Sequence, residues 1–147
     1  MKRDLDLVRQ LLLQIEALPA GPPVQYRTSE IEDPVLLAHF ELVLAAGLVN
    51  GKIARSQGTR GDVISIVGLT WEGHEWIEMV RSDAVWDETK STLLDGAGAL
   101  TYELTKGVAG RILRARLGLI AGASEASAET ALVKRERAGW DSNPRDP

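Results

Sequence analysis

The sequence predicts a mainly helical α+β protein, and three observations carry that prediction. Apolar residues recur every three or four positions over long stretches, the period of an amphipathic helix. A β-branched run, Val63-Ile-Ser-Ile-Val67, follows residues 50–55 across a glycine-containing tip at 56–61, the pattern of a two-stranded hairpin. Between these segments stand capping residues, prolines and glycines where helices start and stop.

Taken in order, residues 2–18 read as the first helix. Leu5, Val8, Leu12 and Ile15 form its stripe, widened by Leu11 and Leu18. Asp4 and Asp6 suit the positive end of a helix dipole, whereas Lys2 and Arg3 do not. Pro19-Ala-Gly-Pro-Pro23 ends the helix, because proline cannot continue the hydrogen-bond ladder. Residues 24–27 then suit a short edge strand. The helix over 33–46 is sharply marked: Asp33 as N-cap, Pro34 at the first helical position, and Gly47 as the left-handed residue beyond the end. Leu48 follows as the apolar residue that packs back on such an ending. Two strands are expected at 50–55 and 62–69.

Thr70 caps a helix over 71–81, with Glu72 and Glu75 in its first turn. Another covers 84–94, with Val85, Trp86, Thr89 and Leu93 on one side, and Gly96-Ala-Gly98 breaks it. Leu100, Leu104, Val108 and Ile112 then recur every four residues, and Leu113, Leu117 and Ile120 extend a long helix in which Gly107 and Gly110 lower the propensity. From Ala121 the chain is poor core material, with at most a marginal helix at 126–137. Three parts are therefore expected: 1–82, a C-terminal helical extension at 83–120 packing on the first part or on a second copy, and a flexible tail at 121–147.

Composition limits the chemistry. The 147 residues contain no cysteine, which excludes a disulfide scaffold, a thiolate nucleophile and any cysteine-ligated zinc. No apolar run reaches the length of a membrane span, and acids occupy the place of a signal's apolar core, so a cytoplasmic protein is expected. The formal charge is −4, and its distribution is informative. Residues 1–82 carry eight Lys and Arg against eleven Asp and Glu, while 83–120 balance at five against five.

Helix, short strand, helix, two-stranded hairpin, helix is the element order of a winged-helix domain, and residues 2–82 resemble winged-helix regulators in their Ala-Gly-Leu-Val, wing, Leu-Thr-x-x-Gly order. The chain also resembles the domain of unknown function 2513 family. The residues that carry this likeness are Met1-Lys-Arg-Asp-Leu-Asp-Leu-Val-Arg9, the stretch from Ala38-His39-Phe40 to Gly47-Leu48, and Gly68-Leu-Thr-Trp-Glu-Gly-His-Glu-Trp76, continuing through Arg81, Asp83 and Trp86 to Lys90. The resemblance implies a small bacterial or phage protein and supplies no catalytic residues.

A winged helix reads DNA with the helix before the wing, using polar and basic side chains. Here that helix places Leu36, Leu37, Phe40, Val43 and Leu44 on one face. The other holds Val35, Ala38, His39, Leu42, Ala45 and Ala46, without Lys, Arg, Asn or Gln. An all-round apolar helix is expected to be buried on both sides, here by the C-terminal helices, with a protein interface as the alternative. Near the wing only Lys52, Arg55 and Arg60 are basic; with Thr59 they would contact phosphate, too few for a strong DNA binder.

Signals for other chemistry fail on inspection. His74-Glu75-x-x-Glu78 lacks the second histidine of a zinc helix, no glycine cluster follows a phosphate-loop pattern, and no nucleophile sits in a triad context, so neither a metal, a cofactor, a small-molecule substrate nor an enzyme is expected. Trp71, Trp76 and Trp86 could stack on single-stranded nucleic acid, but Trp76 and Trp86 read as core. Lys106, Arg111, Arg114 and Arg116 suit a helix end. Trp140-Asp-Ser-Asn-Pro-Arg145 is encodable by TGG-GAT-TCG-AAT-CCC-CGC, which looks like a tRNA-gene T-arm read as protein; read-through at a phage attachment site and chance are the alternatives. The expectation is a non-enzymatic regulatory or adaptor protein of phage or prophage origin, with a protein partner or self-association. The alternative is a transcriptional regulator holding DNA phosphates with its wing.

Overall fold

The first helix, α1 (Leu5–Glu16), begins where its cap dictates. The Asp4 carboxylate accepts hydrogen bonds from the amides of Asp6 and Leu7, at 2.9 and 3.3 Å. Lys2 and Arg3 therefore precede the helix, which corrects the start expected at residue 2. The structure, a computed structural model, describes residues 1–118. The expectations for the tail, including the 126–137 helix and the read-through at 140–145, lie outside the described residues, as does Ile120. Leu5, Val8, Leu11, Leu12 and Ile15 form the buried stripe of α1.

After β1 (Val24–Arg27) comes a 3₁₀ turn, Thr28–Glu30, that the sequence reading did not foresee. Helix α2 (Pro34–Ala45) starts at Asp33, whose carboxylate accepts from the Val35 amide at 2.9 Å. It ends in a Schellman arrangement. Gly47 has φ +74°, its amide donates to the Leu44 carbonyl, and the Leu48 amide donates to the Val43 carbonyl, both at 3.1 Å.

The strands β2 (Val49–Ala54) and β3 (Val63–Leu69) join β1 in an antiparallel sheet of order β1-β3-β2. Ile64 and Ile66, in the central strand, are fully buried, and α1 packs on this strand. A bulge between Asn50 and Gly51 sits where a Cβ on Gly51 would come within 2.4 Å of the Ser65 carbonyl oxygen. The hairpin tip is tied to the 3₁₀ turn: the Asp62 amide donates to Thr28 Oγ1 at 2.9 Å and Ser29 Oγ donates to the Arg60 carbonyl at 2.6 Å.

Thr70, Ser82 and Thr101 each cap a helix with a side-chain oxygen: α3 (Trp71–Val80), α4 (Asp83–Gly96) and α5 (Tyr102–Arg116). Helix α3 packs on α1, and α5 packs on α4 and α3. Trp76 and Trp86 meet edge to face at 5.8 Å in the core, as the sequence anticipates for these two. The Trp76 indole N–H donates to Thr105 Oγ1 at 3.0 Å, so the buried ring leaves no orphan donor. Among the described residues no helix is long and apolar enough to cross a membrane.

Candidate functional site

Four places deserve comparison as sites, and two of them are structural joints. At the first, Arg9 of α1 reaches the turn between α3 and α4. Its Nε donates to the Val80 carbonyl and its Nη2 to the Arg81 carbonyl, both at 2.6 Å, with Asp83 Oδ1 at 2.8 Å. The guanidinium thus satisfies carbonyls that the end of α3 leaves open. Beside it, the Asp6 carboxylate accepts from the Trp86 indole at 2.7 Å and from Lys90 Nζ at 2.9 Å. Burial pushes the Asp6 carboxyl up, but the hydrogen bonds from Lys90 and Trp86 more than offset it, leaving the group below its ordinary value. Arg81 grips Glu16 with two nitrogens, at 2.7 and 2.6 Å, and this holds Glu16 below the usual range. These groups stitch α1 to α3 and α4.

The second joint links the end of α2 to the start of α3. Thr70 Oγ1 donates to the Gly47 carbonyl at 2.6 Å and accepts from the Gly73 amide at 3.1 Å, while the Thr70 amide donates to the Leu48 carbonyl at 3.1 Å. A Cβ on Gly73 would stand 2.1 Å from the Leu48 oxygen, so only glycine permits this approach. Sequence reading found the cap and missed the reason for the glycine.

The third place is the outer side of α2, and here two expectations are corrected. His39 does not belong to that face. It is fully buried, its Nε2 accepting from the Asp4 amide at 2.9 Å and its Nδ1 facing the Val35 carbonyl at 2.7 Å. At the edge of the helix's buried arc, it turns inward because the amide ahead of α1 needs an acceptor. Nor do the C-terminal helices cover the face. Helix α2 packs on α1 and β2, and α5 lies on α4 and α3, so Val35 is 42% exposed and Leu42 36%, with Ala45 and Ala46 also exposed and Ala38 half-buried. The apolar, uncovered arc therefore holds Val35, Leu42, Ala45 and Ala46. Next to its C-terminal end lies a pocket of about 190 Å³, floored by Leu5, Val8, Leu42 and Leu48.

The β2–β3 hairpin, with its tip, is the fourth place. Lys52, Arg55, Thr59 and Arg60 are all exposed, but they are not equivalent. Arg55 pairs with Asp62 at 2.8 Å and with Glu41 at 3.6 Å, and the Asp62 hydrogen bond raises its pKa further. Its charge is already answered within the chain. Lys52 and Arg60 have no carboxylate within salt-bridge distance among the described residues.

The remaining candidates separate in space. Trp71 is 80% exposed while Trp76 and Trp86 are buried, so the three rings do not form a stacking surface. His74 is an exposed neighbour of Glu16, 3.9 Å from its Oε2. Of the basic cluster on α5, Lys106 pairs with Glu72 at 3.0 Å and Arg116 with Glu88 at 3.3 Å.

With this geometry established, comparison with known proteins places the chain. Residues 2–99 match the family described as hypothetical protein (DUF2513). The chain belongs to the DUF2513 family. An uncharacterized protein of Haemophilus influenzae is 31% identical over 115 residues, which cover 77% of this chain and 96% of that protein. No solved structure matches. In the structure, the residues on which the DUF2513 likeness rests meet one another. Asp6 and Arg9 from the first run bind Trp86, Lys90 and Asp83, and Thr70 and Gly73 from the third hold Gly47 and Leu48 from the second. The signature is therefore largely a description of how the helices are joined.

Proposed function

We propose that this DUF2513 protein is a non-enzymatic, winged-helix-like regulatory or adaptor module of a phage or prophage, working through protein contacts or self-association. The order α1-β1-α2-β2-β3, with an antiparallel hairpin following α2, supports the winged-helix part of this reading, in which α2 would take the position of the groove-reading helix. One observation carries the reading: the solvent side of α2 offers Val35, Leu42, Ala45 and Ala46, with Glu41 at its edge paired to Arg55 at 3.6 Å, and no Lys, Arg, Asn or Gln. Base edges are read by hydrogen bonds, which the four apolar side chains cannot make, and the one carboxylate, Glu41, faces Arg55 and would be repelled by phosphate. Apolar surface of this kind is instead stabilised when another protein removes it from water, at roughly 25 cal/mol per Å².

A second reading keeps DNA as the partner, with the wing on phosphates. It is favoured by Lys52 and Arg60, exposed and without a carboxylate partner among the described residues, beside Thr59. Two copies on a duplex would bring four such cations, still few for binding that outlasts moderate salt. A mobility-shift titration at low and moderate salt decides between the two. We expect any shift to vanish at moderate salt. Binding that survives moderate salt and is lost in a Lys52→Ala, Arg55→Ala, Arg60→Ala variant overturns the first reading.

A further inference from the structure

We infer that the hollow between residues 3–5, α2 and the first turns of α3 and α5 is a docking site for an acidic partner segment anchored by one large apolar side chain. This rests on the protein-contact reading above and names the chemistry of the partner. The pocket of about 190 Å³ has an apolar floor, and an apolar cavity of about 150 Å³ already accepts a benzene-sized group. A second, shallower depression of about 640 Å³ adjoins it, reaching Leu94 and Leu100 at the α4–α5 turn. Arg3 and Leu5 line both. Together they make one track with room for more than a single group. Exposed Leu42 and Leu94 lie along it, one in each depression.

Charge selects the occupant. Of the acids lining the two depressions, Asp4 is engaged as the cap of α1, and Glu72 accepts from the Tyr102 hydroxyl and from Lys106 Nζ. Of the lining cations, Lys2 and Arg3 have no carboxylate partner among the described residues. Asp4 keeps its charge while capping, so with Lys106 counted beside its partner Glu72 the three cations exceed the two acids by one; Arg3 lines both depressions, where a guanidinium takes a carboxylate with paired hydrogen bonds. An incoming segment therefore places its apolar side chain over Leu42 and Leu48 and an Asp or Glu at Arg3.

The test is selection of a random short-peptide library on the immobilised full-length chain. Enriched peptides are expected to share one large apolar residue within a few positions of Asp or Glu. Binding of a selected peptide should fall roughly tenfold or more in Ala46→Trp, which fills the pocket from an exposed position, and in Lys2→Glu, Arg3→Glu. The second variant lies ahead of α1 and leaves the core untouched; selection repeated on it should exchange acids for Lys and Arg. Absence of enrichment, enriched peptides without acids, or an acid preference unchanged by Lys2→Glu, Arg3→Glu overturns the proposal. So does a dimer seen by sedimentation and abolished by Ala46→Trp, which assigns the hollow to a second copy. DNA binding that survives salt would remove the reading beneath it, yet leave the peptide selection to decide the hollow by itself.

Discussion

Replacing Gly73 by alanine should cost this protein much of its stability, although alanine is the better helix former. An alanine Cβ at this position would stand 2.1 Å from the Leu48 oxygen and 3.1 Å from its carbonyl carbon. Carbon and carbonyl oxygen settle near 3.3 Å at closest, so the first turn of α3 must withdraw by about 1 Å. Both groups are backbone, and neither can swing aside. Withdrawal strains the Thr70 amide bond to Leu48 and the Thr70 hydroxyl bond to Gly47, now 3.1 and 2.6 Å. Losing both costs about 2 kcal/mol, and overpacking adds about 1–3 kcal/mol. The sum, about 3–5 kcal/mol, is a large share of a domain's usual 5–15 kcal/mol. Gly107, inside α5, provides the contrast: nothing lies within 4 Å of its Cβ position, so Gly107→Ala should stabilise by up to about 1 kcal/mol. Urea unfolding followed by the fluorescence of buried Trp76 and Trp86 reads both variants, with unchanged slopes showing that the denatured state is not involved. Gly73→Ala unfolding within 1 kcal/mol of the parent, or both alanines shifting the midpoint in the same direction, would contradict a close approach of Gly73 to Leu48 that only glycine permits.

Three further expectations concern the joints and the face of α2. Arg9→Met keeps the apolar stem but leaves the Val80 and Arg81 carbonyls without their donor; a loss of about 2–3 kcal/mol is expected in the same urea assay, and a change under 1 kcal/mol would show that water replaces the guanidinium freely. His39→Leu strips the Asp4 amide of its acceptor and should cost about 1–3 kcal/mol, whereas Leu42→Lys three residues on should stay within about 0.5 kcal/mol, and equal losses would contradict the burial assigned to the two side chains. Asp6 and Glu16 are held below their ordinary values of 3.8 and 4.5 in the folded chain, so their contribution is present above those values and is lost as pH falls through the lower folded ones. Stability measured from pH 7 down to about 3 should decline below about pH 4.5, and less steeply in Asp6→Asn, Glu16→Gln; parallel curves would remove these carboxylates from the explanation.

The elements and most of their ends were legible in the sequence because their determinants are local. Asp33 reaches the Val35 amide and Thr70 the Gly73 amide within a turn of chain, and Gly47 adopts φ +74° on its own account. The β-branched run of β3 and the order of strand, tip and strand likewise needed no distant partner. Which side of α2 meets water did not follow from that helix, since an apolar pattern all round fits burial on one side or on both. Only the placement of α5 on α3 and α4 left Val35 and Leu42 uncovered, and only the approach of the Asp4 amide turned His39 inward. The grip of Arg9 on Val80 and Arg81 spans more than seventy residues, and the closeness of Gly73 to Leu48 depends on how α2 ends against α3. Caps and turns answer to neighbours within a few residues, so sequence by itself determined them. Burial, ion pairing and close backbone approach depend on whatever another element brings to the spot, and the tertiary structure alone decided those.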